Sequence, residues 1–359
     1  MSLSLASQSG PSQARKPQGL VLVNGVQAPC LDWEVTTCGF FQASTFRVTL
    51  AASGLPAGLS LAALCDMSAV PVEVRASLDG GAPTSLILGR ADDVDVDWAA
   101  RTVSLSGRDR TADLIEARTA ESFLNRTASQ AVETLAARHG LTANAAATPT
   151  KIGAYSQSDH AKLSGQGSEW DLVVHLAKKE GFYAWVSGTT LNFQPETAAV
   201  GAPTVVRWTP AGGGALAAGP FVGLKTRRNL SLASAVTVTV SSWNHTQKTP
   251  FKATVTGVKT GAPGGSPQTY SYRKPGLTFD QARQLAQSQL EAVTRHERTL
   301  ELEMAPDLTL TPRGQIELAG TGTAFDQLYW IDQVERRMAF GEFSQTVSAK
   351  NHSPQDAEG

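Results

Sequence analysis

The chain has 359 residues, of which 41% are hydrophobic and 18% are charged. This composition is typical of a globular protein and excludes a wholly disordered chain, a collagen and a coiled-coil rod. Its 31 basic and 32 acidic side chains give a net charge of −1, which does not favour strong binding to nucleic acid or to an anionic membrane. The length predicts two or three domains.

The start of the chain carries no apolar core of the kind found in a signal peptide. Residues 1–19 are polar and rich in Ser and Gln, so we expect a flexible N-terminal arm there. No stretch reaches the roughly 20 apolar residues of a membrane helix, and we expect no membrane anchor. Cys30, Cys38 and Cys65 lack metal-site spacing and are interpreted as reduced, buried thiols, with a Cys30–Cys38 bridge across a hairpin as the alternative.

Two parts of the chain show short alternating stretches separated by turns, which is the pattern of small β domains. In residues 20–108 the pattern begins with an apolar run ending at Asn24-Gly25, a strong hairpin signal. It returns over residues 201–352, which contain loops rich in Gly and Pro at 209–220 and 261–267. We therefore predict a first β-barrel domain at 20–108, a second at 201–352, and a short tail at 353–359.

Helical patterns lie mainly between these two parts. A T-x-x-Q capping box at Thr127 and a cap at Ser168 each precede an apolar stripe with helical spacing, and a predicted hairpin turns at Ser187-Gly188. These features predict an α+β domain at 109–200. A further capping box at Thr278 predicts a helical insertion near 278–296. The predicted fold class is mainly β with α+β, with two small β-barrels flanking the α+β domain and an additional helix in the C-terminal half.

Asp93, Asp95 and Asp97 begin like a calcium-binding loop, but Trp98 stands where such a loop needs Gly to turn. Because Val94, Val96 and Trp98 alternate with the three carboxylates, the pattern indicates a strand with one solvated acidic face and one buried face. The sequence contains no HExxH, GxSxG or complete phosphate-binding loop. We therefore predict no catalytic residues, no cofactor, no metal site and no enzymatic activity.

Several phrases resemble the late control protein D and Mu-type family of phage tail baseplate hub proteins, which is related to the hub part of type VI secretion spikes. The stretch 90–117 is similar to the end of that family's first barrel and closes with the phrase SGRDRTADL at 106–114. Residues 168–183, 240–244 and 310–334 resemble its later helix, hairpin and strands.

The resemblance implies a homotrimer whose two barrels per chain form a pseudo-sixfold ring in the tail baseplate of a virion. Such a ring joins the hexameric tail tube to the trimeric spike and surrounds the channel for DNA, which it contacts only transiently. Other baseplate proteins are further expected partners. A hub-associated cell-wall hydrolase and a carbohydrate-binding β adhesin remain as alternatives from other classes.

Charge adds two expectations to this resemblance. Residues 20–108 carry five basic and nine acidic groups, whereas residues 201–352 carry sixteen and eleven. Opposite net charges favour contacts between a first and a second barrel around a ring. Because an acidic wall repels phosphate, Asp93, Asp95 and Asp97 are the candidate channel-lining residues; an outward solvated face is the alternative.

Overall fold

The computed structural model describes most of the chain, and strands dominate it. The described residues are 16–118, 123, 125–149, 151–152, 167–195, 201–210, 219–230, 236–244, 249–257, 268–294, 297–339 and 341–351. Their strands are β1 Pro17–Val23, β2 Val26–Ala28, β3 Cys30–Cys38, β4 Thr45–Ala51, β5 Pro71–Leu78, β6 Thr84–Asp97, β7 Thr102–Asp109, β8 Thr142–Ala145, β9 Phe182–Ser187, β10 Thr190–Pro195, β11 Thr204–Arg207, β12 Gly223–Arg228, β13 Val236–Asn244, β14 Thr249–Gly257, β15 Gln268–Arg273, β16 Arg298–Met304, β17 Gln315–Ala319, β18 Leu328–Ala339 and β19 Glu342–Lys350.

The helices of the described residues are short and few. The helix caps predicted at Thr127, Ser168 and Thr278 are confirmed, because in each case the cap side chain accepts the N–H of the residue three positions on. None of these helices combines the length and apolarity needed to cross a bilayer. The helices are α1 Leu61–Asp66, α2 Thr111–Glu116, α3 Ala128–Arg138, α4 Glu169–Glu180 and α5 Phe279–Thr294.

One large sheet contains strands from both halves of the chain. Thirteen strands belong to it, in the order β12-β16-β19-β18-β3-β4-β7-β6-β5-β1-β2, with β17 paired to β18 and β11 to β17. The two halves meet where β18 pairs antiparallel with β3. Among the described strands the pairings do not close into one barrel. The fold is mainly β with smaller α+β parts, as predicted.

Two further sheets each carry helices. Strands β8, β10 and β9 pack against α3 and α4, and strands β14, β13 and β15 pack against α5. The described residues form four hydrophobic clusters: one within the first half, one in each of these α+β parts, and one beneath the C-terminal strands. The helix α5 therefore belongs to an insertion with its own core, located between β12 and β16.

The N-terminal boundary differs from the prediction. Strand β1 begins at Pro17 and pairs with β5, so residues 17–19 belong to the sheet and not to an arm. The remainder of the predicted arm at 1–15 and the tail at 353–359 lie outside the described residues, as do 211–218 and 261–267 of the two Gly- and Pro-rich loops. The Asn24-Gly25 hairpin is confirmed, with φ of 50° and 76° at its two turn residues.

The positions of the cysteines rule out the alternative of a Cys30–Cys38 bridge. Both residues lie on β3, eight positions apart, and an extended strand of that length separates them by about 26 Å. A disulfide needs Cα atoms within about 7 Å, so the bridge is excluded. Cys30 and Cys38 are half-buried thiols, whereas Cys65 is exposed, which corrects its prediction as a buried thiol.

A close crossing of two glycines shapes the β6–β7 hairpin. A Cβ atom at Gly107 would lie 2.1 Å from the carbonyl oxygen of Arg90, and one at Gly89 would lie 1.9 Å from that of Arg108. These distances are shorter than any real contact, so only glycine lets the two backbones approach here.

We predict that Gly107→Ala lowers the free energy of unfolding by about 3 kcal/mol, because the added methyl group forces the strands apart. Urea denaturation at equilibrium measures this loss. The control is Gly58→Ala, where a Cβ meets nothing within 4 Å and the change should be about 0.5 kcal/mol or less. Equal stabilities of the two variants would contradict the proposed crowding.

Candidate functional site

Eight consecutive strands of the large sheet form a continuous antiparallel surface. Their order is β12-β16-β19-β18-β3-β4-β7-β6, and every neighbouring pair is antiparallel. Four strands come from each half of the chain. This surface is the largest regular feature that the described residues offer to a partner.

One face of this surface is apolar and the other is polar, because side chains alternate along each strand. The apolar face is buried in two of the hydrophobic clusters. We call the opposite side the polar face. It carries Asp93, Asp95 and Asp97 of β6; Ser104 and Ser106 of β7; Thr45, Arg47 and Thr49 of β4; Asp32, Glu34 and Thr36 of β3; Gln333, Glu335 and Arg337 of β18; Ser344, Thr346 and Ser348 of β19; Thr299, Glu301 and Glu303 of β16; and Lys225 and Arg227 of β12.

The polar face is net acidic, with eight carboxylates against four basic side chains among the residues just named. A surface of this kind does not attract nucleic-acid phosphate. On this face and in the rest of the described chain, no group of three or more His, Cys, Asp or Glu side chains could hold a metal ion.

The three candidate carboxylates lie together on this face. Asp93, Asp95 and Asp97 are exposed, and Val94 and Val96 between them pack on the first hydrophobic cluster. The predicted alternation is confirmed for these residues. It fails at Trp98, which is 73% exposed, because the strand ends at Asp97 and the Asp97 carboxylate accepts the N–H groups of Ala99 and Ala100 in the turn.

Strand β6 contains a β-bulge close to the point where it stops pairing with β5. It pairs with β5 up to Arg90 and with β7 from Gly89 to Asp97, and the β6–β7 register shifts at Asp92. The bulged Asp92 forms a bidentate ion pair with Arg108 of β7, with oxygen–nitrogen distances of 2.6 and 2.8 Å. A bulge bends a strand and increases its twist. The ion pair therefore holds the strand at its bend.

The C-terminal half repeats this arrangement. Strand β18 pairs first with β17 and, after a register shift at Asp332, with β3. The bulged Asp332 pairs with Lys350 of β19 at 3.0 Å. Relative to the bulge, Arg108 and Lys350 occupy the same position in the following strand. The two hairpins are therefore structurally equivalent.

The sequence predicted two similar barrels but did not identify these two hairpins as their equivalent elements, although a weak signal is present. Residues 91–97 (ADDVDVD) align with 331–337 (IDQVERR), and residues 104–108 (SLSGR) align with 346–350 (TVSAK). Only the bulged Asp, one Val and one Ser are identical. The equivalence becomes visible once strand pairing places the bulges opposite basic residues.

The ion pair of Asp92 extends into a network that reaches helix α2. Arg108 also donates to Glu116 at 2.7 Å, and Arg90 pairs with Glu116 and lies 3.8 Å from Asp113. Hydrogen bonds from Arg108 lower the pKa of Asp92, and those from Arg90 and Arg108 lower the pKa of Glu116. The network joins the end of the SGRDRTADL phrase to the strand that carries the three candidate carboxylates.

Both ends of the eight-strand surface are open. From Asp93 to Asp97, β6 pairs only with β7, and β12 pairs only with β16, within the described residues. The exposed side chains at the first edge are acidic, and at the second edge they include Lys225, Arg227 and Arg228. The two free edges therefore carry opposite charge.

Comparison with known proteins identifies the class of molecule that has this fold. Residues 39–340 match the family model described as phage tail baseplate hub (GPD). Because this match covers most of the chain, the protein belongs to that family. No curated protein sequence matches the chain.

Solved structures share the fold over nearly the whole chain. The tail protein from Neisseria meningitidis MC58 superposes with a TM-score of 0.68 at 15% identity, covering 93% of this chain and 96% of its own. The 43 kDa tail protein of prophage MuSo2 from Shewanella oneidensis gives 0.64 at 13%, with coverages of 93% and 96%. The E. coli c3393 protein, a type VI secretion component, gives 0.54 at 12%, with 93% and 77%.

The family assignment confirms the resemblance seen in the sequence. The protein is a phage tail baseplate hub protein, and its place is the baseplate of a virion tail. Its relatives of the same fold include components of contractile injection systems.

We predict that Arg108→Gln lowers the free energy of unfolding by about 1 kcal/mol at neutral pH, a modest loss because the partners are partly exposed. The pKa values of Asp92 and Glu116 are lowered in the folded protein. The two carboxylates therefore contribute to stability at pH values above their ordinary pKa values. This contribution is lost as pH falls through their lowered pKa values. As pH falls from about 5 to about 2, the free energy of unfolding of the variant should decrease less than that of the wild type.

Urea denaturation across this pH range measures the difference. Arg101→Gln is the control, because Arg101 lies in the exposed turn between β6 and β7. Parallel pH profiles for wild type and Arg108→Gln would refute a stabilising role for the network.

Proposed function

We propose that the protein forms a homotrimeric, pseudo-sixfold ring that joins the hexameric tail tube to the trimeric spike and surrounds the channel for DNA. We propose further that residues 20–108 and 201–352 are two domain repeats within this ring, and that 109–200 forms a separate α+β domain. The observation that carries the proposal is the pair of equivalent four-stranded groups, β6-β7-β4-β3 and β18-β19-β16-β12, already joined in one chain.

The way in which the two four-stranded groups pair within one chain indicates how groups of neighbouring chains pair. Within the chain, the bulged strand of the second group, β18, pairs with the last strand of the first group, β3. If the groups are repeats, the bulged strand β6 takes the last strand of another second group, which is β12 of a neighbouring chain. Three chains supply six groups, and each free edge then has a partner.

Strand direction supports this closure. Neighbouring strands alternate in direction over the eight-strand surface, so the strands at its two ends run in opposite directions. When β12 of one chain lies beside β6 of the next, the pairing is antiparallel like every other pair in the surface. The unpaired N–H and C=O groups of both edges are then satisfied.

Charge and exposure at the two edges support the same partners. Contact between Lys225 and Arg227 on one side and the three carboxylates of β6 on the other joins opposite charges, whereas contact between two β6 edges joins like charges. Val222 and Leu230, which flank β12, are 80% and 72% exposed. Large apolar side chains beside an open edge are typical of an interface.

In a closed ring the polar face lines the channel, because the apolar face is already covered by the hydrophobic clusters of each chain. The excess of carboxylates on that face keeps DNA from adhering during passage. Asp93, Asp95 and Asp97 are then channel-lining residues, and the contact with DNA is transient. The tail tube, the spike and other baseplate proteins bind the two rims of the ring.

This function is mechanical, and we propose that the protein has no enzymatic activity. The family is one of structural hub proteins. A cell-wall hydrolase would clear purified peptidoglycan in a turbidity assay, and we expect no clearing. Turnover that disappears when a single carboxylate is changed would overturn this part of the proposal.

We predict that the full chain is a trimer in light scattering and that Asp93→Lys combined with Asp95→Lys shifts it toward monomer. A chain that also carries Lys225→Glu and Arg227→Glu should recover trimer, because the exchange restores opposite charges across the junction. Trimer assembly of the wild type should slow as salt rises from about 0.05 to about 0.5 M.

Glu133→Lys is the matched control, because Glu133 is an exposed acidic residue of α3 outside the polar face. It should leave the mass unchanged. A wild-type chain that stays monomeric, or a fourfold variant no more trimeric than the double variant, would count against the proposed junction.

We predict that in the assembled ring the side chains of Asp93, Asp95 and Asp97 point toward the threefold axis. Electron cryo-microscopy of the trimer or of an intact baseplate determines their direction. Side chains directed away from the axis would show an outward solvated face and would refute the channel assignment, while leaving the trimer itself intact.

A further inference from the structure

A cleft of about 460 Å³ lies where three parts of the molecule meet. Its walls come from β3, the first part of β6 and the end of β7 in the first half of the chain. The β9–β10 hairpin, the loop before β17 and Arg336 of β18 complete them. Its volume is within the usual range of ligand sites. The cleft lies on the apolar side of the eight-strand surface, because Arg336 lines it and alternates with residues of the polar face.

Arg313 is the most unusual residue of this cleft. Its guanidinium carbon lies 3.8 Å from the centroid of the Trp185 ring, and its φ of 72° holds the backbone in the left-handed region. The Nη1 atom is buried and has no hydrogen-bond partner in the described part of the chain. Burial lowers the pKa of Arg313 to about 10, which still leaves it charged at neutral pH.

A second buried cation lines the same cleft. Arg336 is 3% exposed; it donates to the carbonyl oxygens of Asp307 and Leu310 and to the side chain of Gln345. Neither guanidinium forms an ion pair within the described residues. Buried charges in proteins are ordinarily paired, because an uncompensated charge is costly.

The carboxylate that lines the cleft, Asp109, does not fill this role. It accepts the backbone N–H groups of Ser44 and Thr111, each at 2.9 Å. Burial raises its pKa. With one carboxylate against two guanidinium groups among its lining residues, the cleft retains an excess of positive charge.

We propose that this cleft is a binding site for a carboxylate-bearing ligand, with the guanidinium of Arg313 as its anchor. A guanidinium stacked on an aromatic ring keeps its N–H edge free for a planar, bidentate partner. A carboxylate matches that edge and neutralises the excess charge. The carboxylate comes either from a small free acid or from an acidic side chain of another protein, and the two share the same chemistry.

Occupation of the site would connect the three parts that form its walls. Trp185 belongs to the β9–β10 hairpin, and Arg313 precedes β17, so a ligand on their stacked pair joins the α+β part to the C-terminal strands. A ligand that binds only the folded protein also raises its thermal stability. Neither effect depends on whether the protein forms a ring.

The test is calorimetric titration of the full chain with two probes, succinate and a capped tripeptide with a central glutamate. We expect saturable binding of at least one probe and a rise in unfolding midpoint of about 2 °C or more at saturation. Binding of succinate alone identifies a small acid as the source, and preference for the peptide identifies a protein side chain. Sodium chloride at equal ionic strength should give no saturable effect.

Arg313→Gln should abolish the binding, and Arg337→Gln is the matched control, since Arg337 lies on the exposed polar face beside Arg336. Arg313→Lys should retain only weak binding, because a single ammonium group lacks the bidentate edge. Absence of saturable binding by the wild type to both probes would overturn the proposal. Unchanged binding by Arg313→Gln would do the same.

Discussion

The large sheet depends on one interaction that the protein uses twice, an ion pair between a bulged aspartate and a basic residue on the next strand. Asp92 with Arg108, and Asp332 with Lys350, lie beside the positions where β6 stops pairing with β5 and where β18 exchanges β17 for β3. In each half the bulge bends the strand, and the part of the strand that follows the bulge carries residues of the polar face.

The same geometry leaves both ends of the eight-strand surface open within the described residues, and in the proposed ring charge determines which strand completes each end. An exposed edge normally risks indiscriminate pairing, and charged side chains are a common protection against it. Here the edges differ in sign, with Asp93, Asp95 and Asp97 at one and Lys225 and Arg227 at the other. Each edge repels the same edge of another copy and attracts the opposite edge. In the proposed ring, a protection against aggregation thus also provides a rule for assembly.

The agreement between sequence and structure was greatest where the interactions are local. The capping boxes at Thr127, Ser168 and Thr278 involve residues three positions apart, so the helices were predictable to within about two residues. The Asn24-Gly25 turn is equally local. The prediction that Trp98 lies on the buried face of the strand is wrong, because the strand ends at Asp97, whose carboxylate caps the following turn. The Cys30–Cys38 alternative assumed a hairpin where a single continuous strand carries both thiols.

The sequence by itself determined the class of fold, the alternation that produces the acidic face of β6, and the family phrases around SGRDRTADL. It could not show that Asp92 and Asp332 are equivalent, since only a few identical residues mark the repeat. It also could not reveal the Arg313–Trp185 stack, whose members lie 128 positions apart. Tertiary structure decided these features, because pairing between distant strands sets which charges meet, whereas caps and turns follow from neighbours along the chain.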